Sequence, residues 1–110
     1  MAGPAPPALP PYLVVVRLFV PPELRERYRA AVARIAASAG SDLLRTELWE
    51  DAARPGFFLE SYLFQDLSAW SLAREGTGPT ASAFGERRAL IPEDCEEVLG
   101  YEAVISARDV

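Results

Sequence analysis

Apolar and polar residues follow one another along the chain in a pattern that predicts strands and helices in a definite order. Residues 12–20 form a β-branched and aromatic run between prolines, which is typical of a central strand. After Pro21 and Pro22, apolar residues recur at three- and four-residue steps, which predicts an amphipathic helix that ends at Gly40. The stripe predicted to be buried is Leu24, Tyr28, Val32, Ile35 and Ala39.

The rest of the chain repeats the alternation of strand and helix. The predicted elements are a hairpin of strands over 43–50 and 57–64, helices over 67–74 and 80–90, a helical turn within 92–100 and a strand over 101–108. Pro55 and Gly56 mark the hairpin turn, and Asp66 is predicted to cap the helix that follows. Residues 1–11, rich in Pro and Ala, are predicted to be a disordered extension before one domain over 12–110.

The order strand, helix, strand, strand, helix, strand predicts a ferredoxin-like βαββαβ fold of the α+β class. Right-handed crossovers would place the first and third strands in the centre of the sheet and the second and fourth at its edges. We expect a mixed four-stranded sheet, antiparallel in its outer pairs and parallel in its centre.

Two rows of side chains can be separated on each predicted strand, because side chains alternate across a strand. The row assigned to the helices is Val14, Val16, Leu18, Leu44, Thr46, Leu48, Phe57, Leu59, Ser61, Leu63, Tyr101, Ala103, Ile105 and Ala107. The opposite row includes Leu13, Val15, Arg17, Phe19, Arg45, Glu47, Trp49, Phe58, Glu60, Tyr62, Phe64, Glu102, Val104, Ser106 and Arg108. It is too apolar to face water, so we expect a second copy of the sheet, or else the N-terminal arm or the Gly-rich segment, to cover it.

Composition narrows the classes of function. The chain has 110 residues with a net charge of −5, no His and a single Cys, which disfavours a metal site, a disulfide and nucleic-acid binding. No apolar run is long enough to span a bilayer, and the first residues lack the features of a signal peptide, so a cytoplasmic protein is expected. All basic residues are Arg, which suggests a bacterial source of high GC content.

Three segments resemble the antibiotic biosynthesis monooxygenase-like family of dimeric α/β-barrel proteins. They are the first strand, the acidic turn that runs from Glu50 and Asp51 to Phe58, and the stretch from Leu59-Glu60-Ser61-Tyr62 to Trp70. The resemblance implies a homodimer that is in some members a cofactor-independent oxygenase acting on a polycyclic aromatic or quinol-type compound. No cofactor or metal is implied. The haem-degrading branch is disfavoured because Trp70 stands near the position where several members carry a His.

Candidate site residues follow from the same pattern. Glu60 and Arg17 are catalytic candidates, since both are charged within apolar strands and a buried charge needs a partner. An ion pair of Arg17 with Glu60 or Glu102 is predicted as a structural element. The functional alternatives are that the pair orients a substrate oxyanion or that a desolvated Glu serves as a base. The ligand-binding candidates are Trp70, Tyr62, Trp49 and Tyr28. Trp70 is expected on the sheet-facing side of its helix near Leu67 and Ala73, as a core residue or as the wall of a cleft.

Two functions remain open at the level of sequence. The first is an oxygenase, and the second is a non-catalytic dimer that binds a small molecule or acts in a stress response. A pocket beside Trp70 that holds a buried, unpaired ionisable group would favour the enzyme. Cys95 is not a candidate nucleophile, because Asp94, Glu96 and Glu97 surround it and should raise its pKa.

Overall fold

A computed structural model describes residues 9–40, 42–78 and 80–103. Within them the strands are β1 (Tyr12–Phe19), β2 (Leu43–Glu50), β3 (Phe57–Phe64) and β4 (Glu96–Glu102), and the helices are α1 (Arg25–Ala37), α2 (Leu67–Arg74) and α3 (Ala81–Leu90). Short 3-10 turns cover Pro22–Leu24 and Glu93–Cys95. The predicted ferredoxin-like order of elements is confirmed. In the described part of the chain, no helix combines the length and apolar character needed to cross a membrane.

The four strands form one sheet in the order β2-β3-β1-β4, with β1 and β3 in the centre as predicted. Every neighbouring pair is antiparallel, so the prediction of a mixed sheet with a parallel centre is wrong. The reason is the β2–β3 hairpin. A helical crossover makes β2 run parallel to β1, and the hairpin then reverses the chain, so that β3 enters between them antiparallel to both.

Local signals in the sequence fix most of the boundaries. Asp66 caps α2 by accepting a hydrogen bond from the amide of Ala69 at 2.9 Å, as predicted. Gly56 closes the hairpin with a φ of 90°, and its amide donates to the Glu50 carboxylate at 2.9 Å. That hydrogen bond, together with one from Arg29, holds the pKa of Glu50 below its usual range.

The fourth strand begins earlier than predicted. Residues expected to form a helical turn over 92–100 instead include only the turn Glu93–Cys95, and β4 starts at Glu96. Glu96, Glu97 and Gly100 give this segment a low strand propensity, but pairing with β1 provides backbone hydrogen-bond partners, and both acids find cations. Glu97 lies opposite Arg17, and Glu96 reaches Arg87. Residues 104–108 of the predicted strand lie outside the described residues.

The register of the strands shows which side chains share a face. Val14, Val16 and Leu18 of β1 lie opposite Tyr62, Glu60 and Phe58 of β3, and all six are buried beneath the helices. The prediction that Phe57, Leu59, Ser61 and Leu63 face the helices is therefore wrong. Tyr101 lies opposite Leu13 on the outer face, so its predicted row is wrong too, and Leu44, at a bulge in β2, is exposed.

The face of the sheet on which none of the described helices packs is called the open face below. Its apolar side chains are Leu13, Val15, Phe19, Trp49, Phe57, Leu59, Leu63, Leu99 and Tyr101. Although the row of β3 was assigned wrongly, the expectation of an apolar uncovered face holds, because both rows of that strand are apolar. Trp49 is 59% exposed and Tyr101 52%, which leaves large rings in contact with water.

Candidate functional site

A carboxylate at the centre of the sheet is the most deeply buried charge in the described residues. Glu60, in the middle of β3, is 0% exposed and accepts hydrogen bonds from three side chains. The Tyr28 hydroxyl donates to its Oε2 at 2.6 Å, the Tyr62 hydroxyl donates to Oε1, and the Arg87 guanidinium donates to both oxygens at 2.8 to 3.0 Å. The carboxylate is thus fully used as an acceptor.

Arg87 connects this carboxylate to the edge of the sheet. Its guanidinium also donates to Glu96, at the start of β4, so that one cation in α3 lies between two acids on different strands. The three charges carry a net charge of −1, and hydrogen bonds satisfy the buried Glu60 carboxylate and Arg87 guanidinium, which is the condition under which charges are tolerated in a protein interior. The cluster Tyr28, Glu60, Tyr62, Arg87 and Glu96 is called the Glu60 network below.

Burial and charge both act on the proton affinity of the network. Burial, and next the negative charge of Glu60, raises the pKa of Tyr28 and of Tyr62 well above the usual range for tyrosine. Burial alone would lower the pKa of Arg87, but its hydrogen bonds to Glu60 and the charge of that residue outweigh burial and raise it. Both phenols therefore stay protonated as donors, and Arg87 stays charged at any physiological pH.

A cavity of about 430 Å³ lies between the sheet and the helices α2 and α3, beside the Glu60 network. Its apolar lining consists of Tyr12, Val16, Tyr62, Trp70, Phe84, Val98, Leu99 and Gly100. Its charged lining consists of Arg74, Arg87, Arg88 and Glu96. The volume suits a small organic molecule, and aromatic rings with a few polar groups are the usual lining of such a site.

Aromatic contacts hold the inner wall of this cavity in place. Phe84 in α3 packs against Tyr62 with ring centroids 5.0 Å apart, and Trp70 in α2 packs against Phe64 at 5.4 Å and Phe84 at 6.4 Å. Trp70 is half-buried, so it belongs to the core on one side and to the cavity on the other. Ala73 is buried nearby as expected, whereas Leu67 is exposed.

The predicted partnership of Arg17 with Glu60 is wrong. Arg17 lies opposite Leu59 on the open face, and its guanidinium pairs with Glu97 at 3.5 Å, with both side chains more than half exposed. Glu60 points to the other face, where Arg87 is its partner, and Glu102 lies opposite Tyr12 at the start of β1, away from Arg17 and not in its predicted row. The register separates the two residues. Arg17 pairs with Leu59 and Glu60 pairs with Val16, and neighbouring positions along a strand point to opposite faces of the sheet.

Of the predicted ligand-binding residues, the structure brings Tyr62 and Trp70 together at the cavity. Tyr28 is fully buried and contacts the same network from α1, but it does not line the cavity. Trp49 was expected in one row with Tyr62, yet it lies opposite Leu59 on the open face. There it borders, with Arg17, a wider groove of about 770 Å³ at one end of the sheet.

Sequence reasoning missed Arg87, Glu96 and Phe84. A signal for two of them exists, because Phe84 and Arg87 are three residues apart on α3 and so share the face that meets the sheet. A buried Glu60 required a cationic partner on a neighbouring element, and Arg87 is the cation on that face. In the described parts of the chain, no three or more Cys, Asp or Glu side chains gather as metal ligands.

Comparison with known proteins supports this architecture through structure alone. No family profile matches the sequence, and no curated protein matches it. Among solved structures, SnoaB, a cofactor-independent oxygenase from Streptomyces nogalater, is 18% identical with a TM-score of 0.65, over 89% of this chain and 97% of that one. A possible antibiotic biosynthesis monooxygenase from Deinococcus radiodurans is 19% identical, with a TM-score of 0.66 over 86% and 94%.

A third similar structure is a conserved protein of unknown function from Bacteroides thetaiotaomicron, described as a possible oxidoreductase. It is 18% identical with a TM-score of 0.69, over 87% of this chain and 100% of that one. At these identities the comparisons show the fold. The resemblance to antibiotic biosynthesis monooxygenase-like proteins inferred from the sequence is thereby confirmed at the level of architecture.

Proposed function

We propose that this protein is a homodimer of the antibiotic biosynthesis monooxygenase type, and that the cavity beside Trp70 binds a small, electron-rich aromatic compound and presents it to O₂. The observation that carries the proposal is the pairing of aromatic walls, Trp70, Phe84 and Tyr62, with a buried polar floor at Arg87. The fold that the chain shares with SnoaB supports the choice of oxygenation over other chemistry on an aromatic ring.

The open face supports the dimer. Phe19, Trp49, Phe57 and Tyr101 are each at least 40% exposed and lie on a single antiparallel sheet. Burying apolar area contributes roughly 25 cal/mol per Å², and a typical specific interface buries about 800 Å² on each partner. A second copy related by a twofold axis offers the same apolar surface, so each face becomes the cover of the other.

In the chemistry proposed for the cavity, the substrate itself supplies the electrons that reduce O₂. A phenol or quinol that has lost its proton is electron-rich enough to reduce O₂ without a flavin or metal, and the protein has to bind it, favour its anion and keep water out. Tyr62, Arg87 and Glu96 are the members of the Glu60 network that line the cavity, and the two hydrogen-bond donors among them, Arg87 and Tyr62, take the role of orienting the substrate oxygen. Glu60 holds both of them in position and acts as a positioning residue.

Binding without catalysis is the second candidate, and one feature favours it. Glu60 and Arg87, the buried ionisable pair next to the cavity, are engaged with each other, and Glu96 also pairs with Arg87, so the network offers a substrate no unpaired base. The criterion for an enzyme had two parts. The pocket beside Trp70 is present, but among the described residues it holds no unpaired buried ionisable group. In this second case the cavity binds the aromatic compound and releases it unchanged.

Native mass spectrometry of freshly purified protein tests the dimer and any retained small molecule together. We expect a dimer, and a monomer at micromolar concentration would contradict the proposal. Oxygen uptake with a naphthohydroquinone then separates the two candidates. The enzyme predicts saturable uptake above autoxidation that Trp70→Leu lowers at least tenfold, whereas Arg27→Gln, an exposed change on α1 away from the cavity, leaves it unchanged. Saturable binding without uptake would support the binding protein.

A further inference from the structure

The mouth of the cavity carries two arginines that form no ion pair with any described side chain. Arg74 is the last residue of α2 and Arg88 lies in α3, and both are exposed and line the cavity. Arg88 donates a hydrogen bond from its Nη2 to the carbonyl oxygen of Arg74 at 3.4 Å, which keeps the two residues adjacent. Among the side chains that the structure describes, neither makes an ion pair with an acid.

Most other described arginines form ion pairs. Six of them pair with a carboxylate, namely Arg17, Arg29, Arg34, Arg45, Arg54 and Arg87. Among the described side chains, Arg25, Arg27, Arg74 and Arg88 have no carboxylate partner. Of these, only Arg74 and Arg88 line the cavity, and they are also adjacent to each other. Deeper in the cavity, Arg87 is already neutralised by Glu60 and Glu96, so the unbalanced positive charge is confined to the mouth.

The position of the two arginines relative to the aromatic walls suggests a ligand with two parts. Trp70 lies one turn before Arg74 on α2, and Phe84 lies one turn before Arg88 on α3. Residues four apart on a helix lie on the same face, so each ring is followed by a cation on the way out of the cavity. A flat aromatic body held between the rings would therefore place a substituent beside both guanidinium groups.

We propose that the ligand is an aromatic carboxylate, with its ring against Trp70 and Phe84 and its carboxylate bound by Arg74 and Arg88. This inference rests on the proposed aromatic site and names the class of compound that it takes. A guanidinium matches the planar, two-oxygen geometry of a carboxylate better than it matches a single phenolic oxygen. Positive charge at a cavity mouth also attracts such an anion and raises its rate of association.

The test compares two probes of the same size, 2-naphthoate and naphthalene-2-carboxamide, by isothermal titration calorimetry on the full chain at low salt. The carboxylate is expected to bind about tenfold more tightly than the amide, since each partly exposed ion pair contributes up to about 1 kcal/mol. The preference should narrow as salt is added, because screening weakens exposed charges. In the Arg74→Gln/Arg88→Gln variant the two probes should bind equally, with the amide affinity unchanged.

A matched variant controls for the loss of two positive charges as such. Arg27→Gln/Arg34→Gln removes the same charge from α1, and neither residue lines the cavity, so the preference for the carboxylate should persist. Equal binding of both probes to the unmodified protein, or a preference that survives in Arg74→Gln/Arg88→Gln, overturns this inference and leaves the aromatic site standing. If neither probe binds, the proposed aromatic site fails and this inference fails with it.

Discussion

Replacing Glu60 by Gln tests whether the Glu60 network holds the helices on the sheet. The change keeps the size of the side chain but removes the charge that faces Arg87, whose side chain is only 8% exposed. It also turns one of the two acceptor oxygens into an amide nitrogen, which meets donors from Arg87, Tyr28 and Tyr62. At least one buried donor is then left without an acceptor.

The expected cost follows from the burial of the pair. Removing one partner of a buried ion pair typically destabilises a protein by about 3–5 kcal/mol, because the remaining charge stays buried without compensation. Arg87 keeps its hydrogen bond to Glu96, which places the expected loss near the lower end, at about 3 kcal/mol. That is a large share of the roughly 5–15 kcal/mol by which a domain is stable.

Urea unfolding followed by tryptophan fluorescence measures this loss. With a denaturant slope of about 1–3 kcal/mol per M, the midpoint should fall by about 1 M or more. Protein concentration has to be the same for each variant, because dimer formation also contributes to the apparent stability. The control is Arg34→Gln, which breaks the exposed pair with Glu86, where both side chains are about half exposed, and should cost less than about 1 kcal/mol.

Equal midpoints for Glu60→Gln and Arg34→Gln would refute the reasoning. Such a result would mean that Arg87 finds water or another acceptor when Glu60 loses its charge, and that the network does not tie α3 to β3. A loss of the expected size with an unchanged affinity for naphthoate would keep the network as a structural element and remove its positioning role at the cavity.

Three further outcomes are expected. Because the pKa values of Tyr28 and Tyr62 are raised in the folded state, the unfolded chain loses these protons first as the pH rises. The contribution of these two groups to the free energy of unfolding should therefore be complete below about pH 10 and fall above it by up to about 2.7 kcal/mol per pH unit. Urea unfolding at stepwise alkaline pH should show a smaller fall per pH unit for Tyr62→Phe than for the unmodified protein. Gly56→Ala should lower the melting temperature, because an added Cβ would meet Arg25 and the residue keeps a positive φ; an unchanged value would contradict this account of the turn. Desolvation and the nearby Asp94 raise the pKa of Cys95, so the exposed thiol should react with iodoacetamide near neutral pH more slowly than free cysteine does, and faster alkylation would show that the acids do not act on it.

Local patterns in the sequence were enough to predict most of the fold. The flanking prolines of β1, the spacing of Tyr28, Val32 and Ile35, and the Asp66 cap each act within a few residues, and the structure confirms them. The order of the strands was predicted from the right-handedness of crossover connections, which holds for nearly all proteins. The direction of the central pair was wrong because the reversal in the hairpin was not carried through to β3.

The face to which β3 turns its side chains could not be predicted from its sequence. Both rows of this strand are apolar, Phe57, Leu59 and Leu63 on one side and Phe58, Tyr62 and Phe64 on the other, so its pattern does not show which row faces the helices. Only pairing with Val14, Val16 and Leu18 decides the question. The site depended on that decision, because it moved Glu60 and Tyr62 beneath the helices and left Arg17 and Trp49 outside.

The sequence by itself determined most of the strands and helices, β4 excepted, since turn residues, caps and periodic apolar stripes act over a few neighbouring residues. The tertiary structure decided which charges meet. Arg87 lies 27 residues after Glu60, and neither carries a local sign of its partner. A carboxylate is buried at the centre of this sheet only because α1 and α3 each bring a donor to it and Glu96 of β4 binds the Arg87 guanidinium, so its role belongs to the packed chain as a whole.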